Sequence, residues 1–137
     1  MITCDTSVLV AAFARWHESH RAAVAAVRRA DAVIDHVAVE TFSVLTRLPA
    51  PRRVPADLVT AFLEHHFPAS APRLPSPGSG EVLARARSGG VSGGAVYDLV
   101  VAMAAAEGEA TVLSLDRRAA VTYEAAQVRF ELLEPTD

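Results

Sequence analysis

Lysine is missing from the 137 residues, so all 13 basic side chains are arginines. This excludes every chemistry that needs a lysine ammonium: Schiff-base formation, the phosphate lysine of a P-loop, and phosphoryl-receiver sites built on lysine. Cysteine is reduced to Cys4, which rules out a disulfide framework or a thiolate metal cluster and fits a reducing compartment. Long apolar runs are also absent, since a stretch such as 99–106 is too short to span a bilayer. The N-terminus lacks the basic-then-apolar layout of a signal peptide. These features lead to the expectation of a cytoplasmic protein without a membrane segment. A net charge of −3 gives no overall pull toward nucleic acid, so any such contact has to be local or metal-assisted.

What is present is a globular mixture, with 51% hydrophobic and 21% charged residues. The length suits one domain, 1–137, which buries roughly two-thirds of the unfolded chain's surface. Residues 1–4 read as a strand, and the helix-capping types Asp5, Thr6 and Ser7 open a first helix that ends before Arg15. Helices are predicted over 17–30, 37–48 (closed by Pro49 and Pro51), 55–67, 81–88, 95–107 (ended by Gly108) and 117–126. Strands are predicted over 32–35, around Arg73 and Leu74 in the Pro/Gly-rich loop 68–80, over 111–115 and over 128–133. Alternating strands and helices predict a parallel sheet sandwiched between helix layers, an α/β fold.

Four of the 16 acids stand in apolar company. Asp5 and Asp116 each follow a predicted strand, while Glu40 and Asp98 interrupt apolar helices near their starts. A carboxylate is rarely buried without compensation. Carboxyl ends of parallel strands form the crevice where ligands bind. Four acids converging there either take up protons or hold a hard divalent cation such as Mg²⁺ or Mn²⁺, which activates water for phosphoryl chemistry. Taken singly, each acid also has a plain structural use: Asp5 and Asp98 as helix caps, Glu40 as a partner of Arg47, Asp116 as a partner of Arg117 or Arg118.

The run Asp5-Thr6-Ser7-Val8-Leu9, Glu40 on its apolar helix, Asp98 with Ala102 four residues on, and Leu113-Ser114-Leu115-Asp116-Arg117 together resemble the PIN domain. Size and motif order are similar to its VapC-type toxins. The resemblance covers nearly the whole chain. It implies a three-layer α/β/α sandwich with a mainly parallel central sheet and a metal-dependent endoribonuclease whose four acids are Asp5, Glu40, Asp98 and Asp116. Asp5, Asp98 and Asp116 would hold Mg²⁺ (Mn²⁺ also serving), and Glu40 would ligate the metal or orient the attacking water. Thr6 and Ser114 would supply hydrogen bonds, and Arg117, Arg118 and Arg15 would contact RNA. The implied partners are an RNA substrate, a cognate antitoxin protein and a second copy in a homodimer. Two positions depart from the family pattern: Arg118 stands where many members carry a further acid, which bears on a second metal site, and Leu99 stands where Ala is common. Two other readings stay open: a PIN-type nuclease of RNA processing without an antitoxin, and a catalytically silent binding module.

Other residues carry weaker signals. His17 and His20 share a helix face at zinc-like spacing but lack a third ligand, so a solvated pair is expected. His65 and His66 suit a helix C-terminus, and His36 is the histidine placed to approach the acids. Cys4 is expected as a small buried hydrophobe. Trp16 with Phe13 belongs either to the core or to an exposed ledge that stacks on RNA, and Arg52-Arg53 forms a basic loop. The apolar faces around 24–27 and 42–48 serve either the core or a partner.

Overall fold

The computed structural model of the protein describes residues 1–135. Its elements are β1 (Ile2–Cys4), α1 (Thr6–Phe13), α2 (His20–Arg29), β2 (Val33–Ile34), α3 (Asp35–Thr46), α4 (Ala56–His66), β3 (Arg73–Leu74), α5 (Ser79–Gly89), α6 (Ala95–Glu107), β4 (Thr111–Ser114), α7 (Arg117–Ala125) and β5 (Phe130–Leu132). Strands β1, β4 and β5 form one parallel sheet with β4 central, and β2 pairs with β3, also in parallel. The smaller sheet lies along β1: the amides of Asp31 and Ala32 both donate to the Ile2 carbonyl, and Thr3 Oγ1 donates to the Ala32 carbonyl. The strands thus run in the spatial order β3, β2, β1, β4, β5. Helix α1 packs on α2 and α3, and α3 on α4, while α6 packs on α5 and α7, the two groups that right-handed crossovers in that strand order would set on opposite faces. This is the expected three-layer arrangement.

The chain reverses direction across the sheet between β1 and β4, so a crevice opens at their carboxyl ends. The core beneath it is small-residue and β-branched, with Val8, Leu9, Ile34, Val37, Val112 and Leu113 almost wholly buried. Each such side chain contributes about 1.5–3 kcal/mol of transfer free energy. Leu45, Val54 and Val59 form a second cluster on which Phe13, Phe42 and Leu63 pack.

Boundaries differ from the predicted ones where local hydrogen bonds outbid periodicity. α2 starts at His20 rather than 17 because Ser19 N–H is taken by His17 Nδ1 and His20 N–H by the His17 carbonyl, which makes a turn. α3 stops at Thr46, two residues short of Leu48, since a residue before proline avoids helical backbone. The last strand begins at Phe130 rather than 128 because Gln127 takes a positive φ of 59° and the Val128 amide is still bonded to the Tyr123 carbonyl.

Candidate active site

Asp5 sits where β1 becomes α1, and this junction fixes it. Its amide donates to the Leu113 carbonyl of β4 (3.0 Å), while its carboxylate caps α1 by accepting from Val8 N–H (3.4 Å). Ser7 Oγ–H donates to Asp5 Oδ1 and, as an acceptor, takes the amide of Leu115 (3.0 Å). The Tyr123 hydroxyl donates to Asp5 Oδ2 (2.8 Å) from α7. Asp5 is only 4% exposed, and burial raises its proton affinity. Hydrogen bonds from Ser114, Ser7, Tyr123 and Val8 pull it back toward the charged form. Burial beside Asp5 keeps the Tyr123 hydroxyl protonated far above its ordinary range, so it remains a donor. The neighbouring Cys4 thiol, pushed up to about 12 by burial and then by Asp5, is inert.

Asp116 ends the β4 segment and caps α7, accepting from the amides of Arg118 (2.9 Å) and Ala119 (3.4 Å). Its own amide donates to Ser114 Oγ (3.0 Å), a wholly buried hydroxyl that tightens the turn from behind. Asp98 lies in the first turn of α6. Its carboxyl is pushed up to about 6, first by burial and then by the charges of Asp116, Asp5 and Glu40. Glu40, on α3, is held by the Thr6 hydroxyl, which donates to Oε1. His36, one turn earlier, places Nε2 4.0 Å from Glu40 Oε2 while its ring stacks on Tyr97 (5.6 Å between centroids, planes 7° apart). Glu40 is not the partner of Arg47 that its spacing suggested, because Arg47 NH1 donates to Ser43 Oγ (2.6 Å). Asp5 caps its helix as expected, whereas Asp98 does not, because α6 has Gly94 at its N-cap and no side-chain cap. Asp116, expected beside Arg117 or Arg118, forms no ion pair with either among the described residues and caps α7 instead, while still lining the cleft.

The four acids line one cleft of about 580 Å³, with Thr6, Ser7, Tyr123 and Arg117 also on its walls. The donor set is all hard oxygen, the chemistry that suits Mg²⁺ or Mn²⁺. Among the described residues no three His, Cys, Asp or Glu side chains are already gathered as a metal-binding group, so the four acids line the cleft without closing on one point. Mg²⁺ keeps several waters and takes few carboxylates directly, so a spread set of this kind fits it. Of the arginines singled out in the sequence, Arg117 reaches the cleft. Arg118 is exposed on α7 outside its lining, and Arg15 lines a different cleft. His17 and His20 likewise face different clefts, with His20 Nδ1 2.8 Å from the Ala11 carbonyl, so the zinc-like spacing makes no shared site. Sequence reasoning missed the roles of Ser7 and Tyr123. Ser7 was visible as a capping type, whereas Tyr123 carries no local signal.

Comparison with known proteins identifies the family. The PIN domain family model matches residues 2–125. The chain is 44% identical over 133 residues to Ribonuclease VapC40 of Mycobacterium tuberculosis, which covers 97% of this chain and 99% of that one. It is 41% identical over 125 residues to Ribonuclease VapC27 of the same organism, covering 90% of each. The crystal structure of PAE2754 from Pyrobaculum aerophilum shares the fold, with a TM-score of 0.60 at 20% identity over 90% of this chain and 86% of that one. The chain belongs to the PIN-domain family, among its VapC-type ribonucleases.

Proposed function

We propose that this ribonuclease is the toxin of a toxin–antitoxin pair, cutting RNA phosphodiesters with Mg²⁺, or Mn²⁺ in its place, and that the whole of 1–137 forms one nuclease domain. The observation that carries the reading is that Asp5, Glu40, Asp98 and Asp116, drawn from four separate segments, share one cleft at the carboxyl ends of β1 and β4. Family membership supports it. In this reading a cognate antitoxin protein restrains the enzyme, which works in the cytoplasm as a homodimer. Among the described residues no helix is long and apolar enough to cross a membrane.

Asp5, Asp98 and Asp116 would hold the cation. When bound, a divalent cation neutralises charge developing on the phosphate and lowers the pKa of a water. Glu40, held at Oε1 by the Thr6 hydroxyl, accepts a proton from the attacking water and aims it in line with the leaving oxygen. Ser7 and Tyr123 fix both oxygens of Asp5, so the carboxylate need not reorganise as the substrate arrives. Arg117, on the cleft wall, meets the phosphate backbone that the acids alone would repel.

The test is cleavage of a mixed RNA pool by antitoxin-free protein with Mg²⁺, beside EDTA-treated protein and the Asp5→Asn and Asp98→Asn variants. Cutting that needs the cation and disappears in both variants is expected. Cutting that persists in EDTA, or in folded Asp98→Asn, overturns the carboxylate mechanism.

A further inference from the structure

A second cleft, of about 670 Å³, adjoins the acidic one. Phe13, Val24, Leu45, Leu48 and Phe62 line it, along with Arg15, Arg52, His20 and His66, and no carboxylate does. That is a local reversal of sign in a chain of net charge −3. The two clefts draw on the same elements. Along α1, Val10 faces the acidic cleft and Phe13 the basic one; on α3, Val44 and Leu45 divide in the same way. In the turn after α1, Trp16 belongs to the second cleft and the next residue, His17, to the first. The turn of Trp16 and His17 thus stands between the two clefts, where a strand passing from one to the other would cross.

Trp16 is 47% exposed, and the Arg52 guanidinium lies 4.0 Å from its ring centroid. Among the described residues neither Arg52 nor Arg15 pairs with a carboxylate. An arginine resting on an indole is oriented by the ring while its N–H fork stays open to a phosphate. His66 is held below its ordinary proton affinity by burial and by His65 and Arg28, so the two arginines carry the permanent charge.

We propose that the second cleft is an extension of the substrate site that holds single-stranded RNA flanking the cut bond. One base stacks on the part of Trp16 that Arg52 leaves open to solvent, and Arg52 and Arg15 meet the adjoining phosphates. This rests on the nuclease reading above. Indoles accept the face of any base, so the cleft selects unpaired RNA over duplex rather than one sequence over another.

Trp16 is the single tryptophan of the chain, so its fluorescence reports directly on the cleft. The full-length protein is titrated with short single-stranded RNA of mixed sequence in EDTA, where nothing is cut. Saturable quenching is expected, with the matching duplex at least about five-fold weaker. By anisotropy, Trp16→Ala weakens binding by roughly ten-fold or more while Trp16→Phe restores most of it. Arg52→Gln lowers the salt slope of binding by about one. With Mg²⁺, Trp16→Ala and Arg52→Gln raise KM on long RNA and leave kcat in place. If the parent cuts RNA through Asp98 yet Trp16 emission ignores RNA and both variants keep the parental KM, the proposal is overturned and the apolar floor is a seat for a protein partner. Absence of Asp98-dependent cutting in the parent instead defeats the nuclease reading itself.

Discussion

At the scale of single residues, the site is held by hydroxyls. Asp5 is buried among apolar neighbours, where an isolated carboxylate would be costly, and Ser7 and Tyr123 each hold one of its oxygens. Tyr123→Phe removes one hydroxyl with almost no change in shape, so no cavity opens. It leaves Asp5 Oδ2 without its buried donor, which costs about 1–3 kcal/mol. Groups that orient a metal ligand typically govern affinity or activity by about 10–100-fold. Tyr123→Phe is therefore expected to lower Mg²⁺ affinity or kcat by that factor while duplicating the parent's circular dichroism. Cleavage and Mg²⁺ titration check this, and parental values in both would reduce Tyr123 to a core residue. The acids themselves were legible in the sequence because a charge beside apolar runs is an anomaly a reader can see. Tyr123 was not, because an aromatic on an amphipathic helix is ordinary and its partner lies 118 residues away. Only the parallel pairing of β1 with β4 joins them.

At the scale of elements, both strand-end acids do two jobs, since each caps the helix that follows it. The two jobs of Asp116 can be separated. Asparagine caps a helix about as well as aspartate, whereas alanine costs about 1 kcal/mol. Asp116→Asn is expected to lose cleavage and keep or gain melting temperature, because one of the charges acting on Asp98 is gone. Asp116→Ala is expected to lose both. Thermal unfolding of the two variants decides it: equal destabilisation would mean that the α7 cap contributes nothing. The order of strands and helices was legible for a related reason. Caps, prolines and Gly108 punctuate the chain, and only the ends moved, where Ser19, Gln127 and the residues before Pro49 answer to local hydrogen bonds or backbone limits. Which helix faces which was not legible. Arg15, close to Asp5 in sequence, turns toward the second cleft, while Asp98, far away in sequence, turns toward the first. Handed crossovers make that choice, and no local pattern records it.

At the scale of the whole molecule, the clustered acids set how stability answers to pH and to cations. Asp98 binds its proton with an affinity raised from 3.8 to about 6, chiefly by burial and then by its acidic neighbours, and the buried Asp5 is shifted in the same direction. Between those values the folded chain holds more protons than the unfolded one. The free energy of unfolding therefore falls as pH rises through that window and stays lower above it. Glu131, shifted down by Arg29, works in the opposite sense, but the pair is exposed and contributes little. In EDTA the melting temperature is expected to drop from pH 4 to pH 6, and Asp98→Asn should flatten that slope and melt above the parent at neutral pH. Binding of Mg²⁺ to the folded state alone adds about 2.7 kcal/mol at a hundred-fold excess over Kd, so at neutral pH the cation should raise the parent's melting temperature and leave that of Asp98→Asn nearly unmoved. A parent that grows steadily more stable through this range, and ignores Mg²⁺, would show that the four carboxylates do not act on one another. The stability the fold gives up to bury these acids beside one another, and regains when a cation enters, is then the measurable trace of its function.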